Sequence, residues 1–156
     1  MEDVRQSLEA LGRRDEEIVW LGLPQGAGRS GEYVARSRRT FAGVIAFTGG
    51  PIGPRGEDLT PPGELAGTSM LSTVSDADPL VPVHRVQETV GLFRDGGAHV
   101  ELMVSRSLER EVTNDEIALG RSLLARVAPS PSLEGSAQRV ERDVEVGARR
   151  RHVEGQ

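Results

Sequence analysis

Ile18-Val19-Trp20-Leu21-Gly22-Leu23 runs without a polar residue, and the architecture follows from it. A half-buried strand alternates apolar and polar side chains. A run of this length that is apolar at every position instead predicts a strand covered on both faces, as in parallel sheets. Pro24-Gln25-Gly26-Ala27-Gly28 then predict a tight turn, and a helix is expected over 25–36 although Gly26, Gly28 and Gly31 each weaken it. Upstream, Val4, Leu8 and Leu11 recur at helical spacing with Gly12 behind them as a C-cap, which predicts a short amphipathic helix over 3–12. Downstream, Phe41-Ala42-Gly43-Val44-Ile45-Ala46-Phe47 predicts a second buried strand, closed by Thr48-Gly49-Gly50-Pro51, and the Pro and Gly density over 51–63 predicts a loop. Residues 68–74 and 100–104 predict further strands. Residues 83–94, with Val86, Val90 and Phe93 on one face, predict a helix. So do residues 115–127, with Ile117, Leu119, Leu123 and Leu124 apolar and Asn114 or Thr113 as the cap. Strands alternating with helices, without hairpin signals, place the chain in the α/β class, as a right-handed parallel sheet of about four strands flanked by helices.

Composition sets the outer limits. A chain of 156 residues with 37% hydrophobic and 28% charged content fits one domain around one core. All predicted elements fall within 1–127. Pro129-Ser130-Pro131-Ser132 opens a polar tail over 128–156, carrying Glu141-Arg142-Asp143 and Arg149-Arg150-Arg151, which buries too little apolar surface to offset its ordering entropy and is expected to be disordered. Cysteine is absent, which removes disulfides, thiolate nucleophiles and Cys-based metal sites and makes a reducing compartment the default. Lysine is absent as well, which removes Schiff-base chemistry. A net charge of −5 argues against a nucleic-acid-binding surface. Residues 1–9 hold acids and no apolar leader core, and no stretch approaches the roughly 18 apolar residues of a membrane span, so a soluble cytoplasmic protein is expected. Nor is a cofactor expected: Gly22-Leu23-Pro24-Gln25-Gly26 followed by Gly28 is not a Gly-x-Gly-x-x-Gly phosphate loop.

The order of four segments makes the reading more specific. Gly22-Leu23-Pro24-Gln25-Gly26-Ala27 resembles the Gly-Phe-Ser-Gln-Gly-Ala nucleophile elbow of the phospholipase/carboxylesterase family of α/β-hydrolases. Gly43-Val44-Ile45-Ala46-Phe47-Thr48-Gly49 is similar to the family's next strand, Asp78-Pro79-Leu80-Val81-Pro82 to its Asp-Pro-x-Val-Pro motif, and Thr113-Asn114-Asp115-Glu116-Ile117 to the segment after the catalytic histidine. The resemblance runs from Met1 to about Val127 and has no counterpart to the family's first half, including the loop that donates one oxyanion N–H.

This resemblance implies an ester hydrolase fold whose chemistry is lost. The nucleophilic serine would stand at position 24, where the chain has Pro24. Proline carries no nucleophile and fixes φ at about −65°, whereas the family's elbow takes a positive φ, so the turn must be rebuilt. Alignment on Asp115-Glu116 puts Arg110, beside Glu109, at the histidine's position, and a guanidinium stays protonated and cannot serve as a general base. Asp78 is left as a vestigial triad acid or as the cap of the turn that follows it, and an Asp78–Arg110 ion pair is one successor arrangement. The N–H of Gln25, next to the nucleophile position, is the implied oxyanion donor. Ser30, Ser69, Ser72 and Ser75 lie outside any Gly-x-Ser-x-Gly context, and His84, His99 and His152 have surface or structural roles as their simplest readings.

Without the first half, the strand over 18–23 is expected at a sheet edge, where it would pair with a second copy of the chain or with a partner that supplies further strands. Trp20 lies on this strand, and its indole is expected to be water-exposed in the monomer. The functional expectation is thus a non-catalytic hydrolase relative with a self-association or partner-binding role. The alternatives are an active ester hydrolase, through another nucleophile or by complementation, and a small-molecule binding module at the carboxyl ends of the strands.

Overall fold

Every strand points the same way. In a computed structural model that describes residues 1–49, 64–106 and 111–128, β1 (Val19–Gly22), β2 (Gly43–Phe47), β3 (Ser69–Ser75) and β4 (His99–Ser105) form one sheet in the order β1-β2-β3-β4, all parallel. The register aligns the amino ends: Val19 pairs with Gly43, Gly43 with Ser69, and Ser69 with His99. Since sequential parallel strands need crossovers, α2 (Pro24–Ser37) links β1 to β2 and α3 (Val83–Asp95) links β3 to β4, while α1 (Glu2–Ala10) precedes the sheet and α4 (Asn114–Val127) follows it. The expected α/β class and parallel four-stranded sheet are found. The expected loop over 51–63 and the tail from Pro129 onward lie outside the described residues.

The central strands are buried on both faces: β2 is apolar throughout, and β3 buries Ser72, Thr73 and Ser75 beside Met70, Leu71 and Val74. Val44, Ala46 and Met70 project into a cluster with Ala27 and Val34 of α2 and Phe93 of α3. On the opposite face Ile45, Phe47 and Leu71 pack against Leu123 of α4. The two central strands are buried at every position except Ser69, whereas on β1 Trp20 and Gly22 are buried and Leu21 is 56% exposed.

Several boundaries differ from the sequence reading. β1 is shorter than 18–23 because Leu23 already serves as the N-cap of α2, extended at φ −93° and ψ 171°. The glycines do not break α2, which runs unbroken from Pro24 to Ser37 and packs closely on glycines of its neighbours, Gly22 and Gly49. A Cβ on Gly22 would overlap the Gly26 carbonyl carbon and the Ala27 nitrogen, and one on Gly49 would overlap Ala27 Cβ. The C-cap of α1 is Leu11 rather than Gly12: Gly12 lies one residue beyond at φ 77°, and Gly12 N–H and Arg13 N–H donate back to Glu9 and Leu8 carbonyls at 2.8 and 3.0 Å, a Schellman closure. α4 is capped by Thr113, whose Oγ1 accepts from Glu116 N–H while Glu116 Oε2 accepts from Thr113 N–H at 2.7 Å.

The amphipathic reading of α1 is overturned. Val4 and Leu11 are exposed, and of the supposed apolar stripe Leu8 alone packs on the core; the buried residue is Arg5. Its guanidinium lies 2.8 Å from Glu2, 3.0 Å from Glu9 and 3.4 Å from Asp15, so three carboxylates offset its desolvation, and Arg39 reaches the same Asp15 at 2.8 Å. Tyr33 Oη of α2 donates to Glu2 at 2.6 Å and completes the seat. Hydrogen bonds from Tyr33 and then Arg5 hold the Glu2 carboxyl below its ordinary range. Burial, and then the bond to Glu2, pushes the Tyr33 phenol up to about 12. A depressed Glu2 gives stability that is present above its unfolded pKa and lost as pH falls through the folded value. A raised Tyr33 gives stability that is complete below its unfolded pKa of 10.0 and lost as pH rises through about 12. Tyr33 is the only tyrosine, so tyrosinate absorbance reports it alone. The native chain is expected to titrate near 12, falling toward 10.0 on Glu2→Gln; a native midpoint at 10.0 would mean α1 is not seated on α2.

Candidate functional site at the carboxyl edge of the sheet

Open parallel sheets present their functional residues beyond the carboxyl ends of the strands, and four segments gather there: Pro24 after β1, Thr48 after β2, Ser75 to Asp78 at the end of β3, and Arg106 after β4. Pro24 is the first residue of α2, where its preset φ suits the helix and its missing N–H costs nothing. Among the described non-glycine residues only Arg38 and Thr48 have a positive φ, so the passage from β1 into α2 contains no strained elbow. The helix's own hydrogen bonding begins with Ala27 N–H donating to the Leu23 carbonyl at 2.7 Å, and the N–H groups of Gln25 and Gly26 lie ahead of it. Gln25 thus brings a backbone donor to this edge, while its side chain is exposed.

Asp78 is two strands away, about 10 Å at the usual strand spacing. Its Oδ1 accepts from Leu80 N–H at 2.8 Å and Val81 N–H at 3.1 Å, which folds Asp78-Pro79-Leu80-Val81 into the turn that delivers Pro82 as the N-cap of α3. These bonds are the capping role expected of an Asp-Pro turn. Arg110 and Glu109 lie outside the described residues, and the Asp78–Arg110 pair with them. Nearer the edge, the exposed Arg106 approaches Asp76 at 3.9 Å.

No described histidine completes a triad here. His99 starts β4, at the amino end of a seven-residue strand and so about 20 Å from the carboxyl edge. His84 sits in the first turn of α3 with its side chain in solvent. The serines fare no better: Ser30 and Ser72 are buried, Ser69 begins β3, and Ser75 Oγ accepts from Ala77 N–H at 3.1 Å. Among the described residues no three His, Asp or Glu side chains converge as a metal site, and no helix is long and apolar enough to cross a membrane.

The strained backbone of Thr48, at the close of the second strand, escaped the sequence reading. It takes φ 56°, costly for a β-branched residue, and is held there by its N–H donating to the Thr73 carbonyl at 3.0 Å. The Gly49 behind it, pressed against Ala27, was the available signal of a tight approach at this point. Trp20 requires a correction: only 9% of it is exposed, because it points to the α2 face, edge-on to Tyr33 at 5.1 Å and to Phe41 at 5.9 Å. Leu21 and Leu23, not the indole, face solvent at the open side of β1.

Comparison with solved structures gives consistent matches. The chain is similar to a phospholipase/carboxylesterase from Dyadobacter fermentans DSM 18053, with 35% identity and a TM-score of 0.74 over 79% of this chain and 59% of that one. It is similar in fold to the Bacillus cereus carboxylesterase, with 17% identity and a TM-score of 0.68 over 81% and 57% of the two chains. Arabidopsis thaliana SOBER1 matches with 19% identity and a TM-score of 0.64 over 80% and 60%. The chain therefore spans less than two thirds of the length of the solved structures it matches. No family model matches the sequence, and neither does any curated protein.

Proposed function

Because the chain is a partial α/β-hydrolase fold of the phospholipase/carboxylesterase kind, we propose that it is a non-catalytic relative of those enzymes that acts by binding protein through the open side of β1. The observation that carries this reading is Pro24 at the first position of α2, where the resemblance calls for the nucleophilic serine. A pyrrolidine has no atom to attack an ester carbonyl, and the unstrained start of α2 would not lift a side chain clear of the sheet as an elbow does. Arg110 stands by sequence at the position of the base, and a guanidinium does not accept the proton that a serine must lose. In a serine hydrolase, loss of nucleophile or base alone costs about a million-fold in kcat, and removing the second partner adds little because the two act as a unit.

The test is hydrolysis of short-chain p-nitrophenyl esters by the chain and by Pro24→Ser. Both are expected to match the buffer rate, the variant because a restored hydroxyl still lacks a base. Turnover by the unmodified chain that scales with its concentration would overturn the proposal.

A further inference from the structure

At the amino edge of the sheet the chain folds a cavity of about 420 Å³ between the last turn of α1 and the short 3-10 turn Asp15–Glu17 that leads into β1. Gly12 makes the reversal. Its φ of 77° turns the chain so that Arg13, Arg14, Asp15 and Glu16 line the cavity together with Arg5 and Glu9 of the helix.

Most of the charge around this cavity is already matched. Arg5 Nε donates to Glu2 at 2.8 Å, and Arg5 Nη1 donates to Glu9 at 3.0 Å and to Asp15 at 3.4 Å. The second oxygen of Asp15 takes Arg39 at 2.8 Å, and the Arg14 guanidinium stands 3.8 Å from Glu17. Three groups are left over. Arg5 Nη2 has no acceptor among the described residues and is not sealed in protein, although the side chain as a whole is only 6% exposed, so its N–H groups open on the cavity. The Arg13 guanidinium and the Glu16 carboxylate are exposed, have no side-chain partner among the described residues and do not pair with each other.

From this arrangement we infer that the cavity binds a small zwitterion of the amino-acid class, with one carboxylate and one ammonium on a short spacer. The carboxylate accepts from Arg5 Nη2 and the Arg13 guanidinium, and the ammonium donates to Glu16. A simple anion would lie against Glu9, Asp15 and Glu16, and a simple cation against Arg5, Arg13 and Arg14. A ligand bearing both charges meets an opposite charge at each end. The volume is in the range of small-molecule sites. Arg5 is preorganised for the role, because Glu2, Glu9 and Asp15 hold its guanidinium in place and little rotamer freedom is left to lose on binding. The cavity lies at the end of β1 opposite Pro24, and the inference does not depend on the loss of catalysis.

Titration of the isotope-labelled full chain with glycine, β-alanine and 4-aminobutyrate at constant ionic strength, followed by amide NMR shifts, tests the inference. These probes differ in the length of spacer between the two charges. At least one is expected to give saturable shifts confined to the amides around Gly12 to Glu16, with those of β2 and β3 unmoved. Acetate and methylammonium, which carry one charge each, should bind at least about tenfold more weakly than the best zwitterion. The same loss is expected for that zwitterion with Arg13→Gln and with Glu16→Gln. Both side chains are exposed, so these variants should keep the circular dichroism and melting temperature of the unmodified chain. Arg121→Gln, exposed on α4, is the control and should bind as the unmodified chain does. No saturable shift with any of the three zwitterions, equal affinity for either single-charge probe, or undiminished binding by Arg13→Gln or Glu16→Gln would overturn the inference.

Discussion

Gly22→Ala is expected to cost about 3 kcal/mol or more, the upper end for an overpacked core and a large share of the roughly 5–15 kcal/mol that stabilises a typical domain. The reason is the closeness of β1 and α2. The added methyl would fall on the backbone of Gly26 and Ala27, and backbone atoms cannot rotate aside as a side-chain tip can. Relief requires α2 to lift off the sheet, and Ala27 and Val34 are buried against Val44 and Trp20 in the main core cluster. Gly26→Ala is the matched control. A Cβ there meets nothing within 4 Å, so the better helix propensity of alanine should show as a gain of up to about 1 kcal/mol. Urea denaturation of the two variants should thus give opposite signs; similar small effects from both would mean that β1 and α2 do not approach so closely.

Phe41→Ala is expected to be comparably severe, at about 3–5 kcal/mol, the usual range for emptying a buried phenylalanine site. Phe41 is fully buried ahead of β2, and its ring lies 5.9 Å from Trp20 and 6.0 Å from Tyr33. Removing it takes the edge-on partner from the indole and opens a void between the edge strand and α2. Trp20 is the only tryptophan, so its emission follows this site directly: blue-shifted in the native chain, red-shifted and weaker in its packing in the variant. Native emission typical of water-exposed indole would contradict the burial of Trp20.

The sheet was legible because continuous apolar runs such as 18–23 and 41–47 have few other structural uses, and the glycines and prolines between them mark the turns. The Thr113 cap was legible for the same reason, since Thr-x-x-Glu before an apolar helix names its own hydrogen bonds. What escaped were contacts made across the chain. Periodicity gave α1 an apolar face of Val4, Leu8 and Leu11, but the helix is seated by Arg5 on Asp15 and by Glu2 on Tyr33, pairings between residues that no local pattern joins. The glycines of α2 read as helix weakeners, whereas it is Gly22 of β1 that lets strand and helix touch, a role visible only once both elements are in place. Trp20 read as an edge residue because strand position is legible and strand face is not: in a run apolar at every position, nothing local says which side the helix will cover. At the candidate site Pro24 was legible because proline's φ and missing N–H are intrinsic, and Asp78 because an Asp-Pro turn is local.

The proposed loss of the nucleophile is most directly tested by exposing the full chain to a fluorophosphonate, which traps an activated serine whatever its place in the sequence, and reading the intact mass. An unchanged mass is the result expected with Pro24 at the start of α2 and no imidazole among the described residues at the carboxyl edge. A single covalent adduct on one serine, lost when that serine is replaced by alanine, would contradict it and identify a working nucleophile.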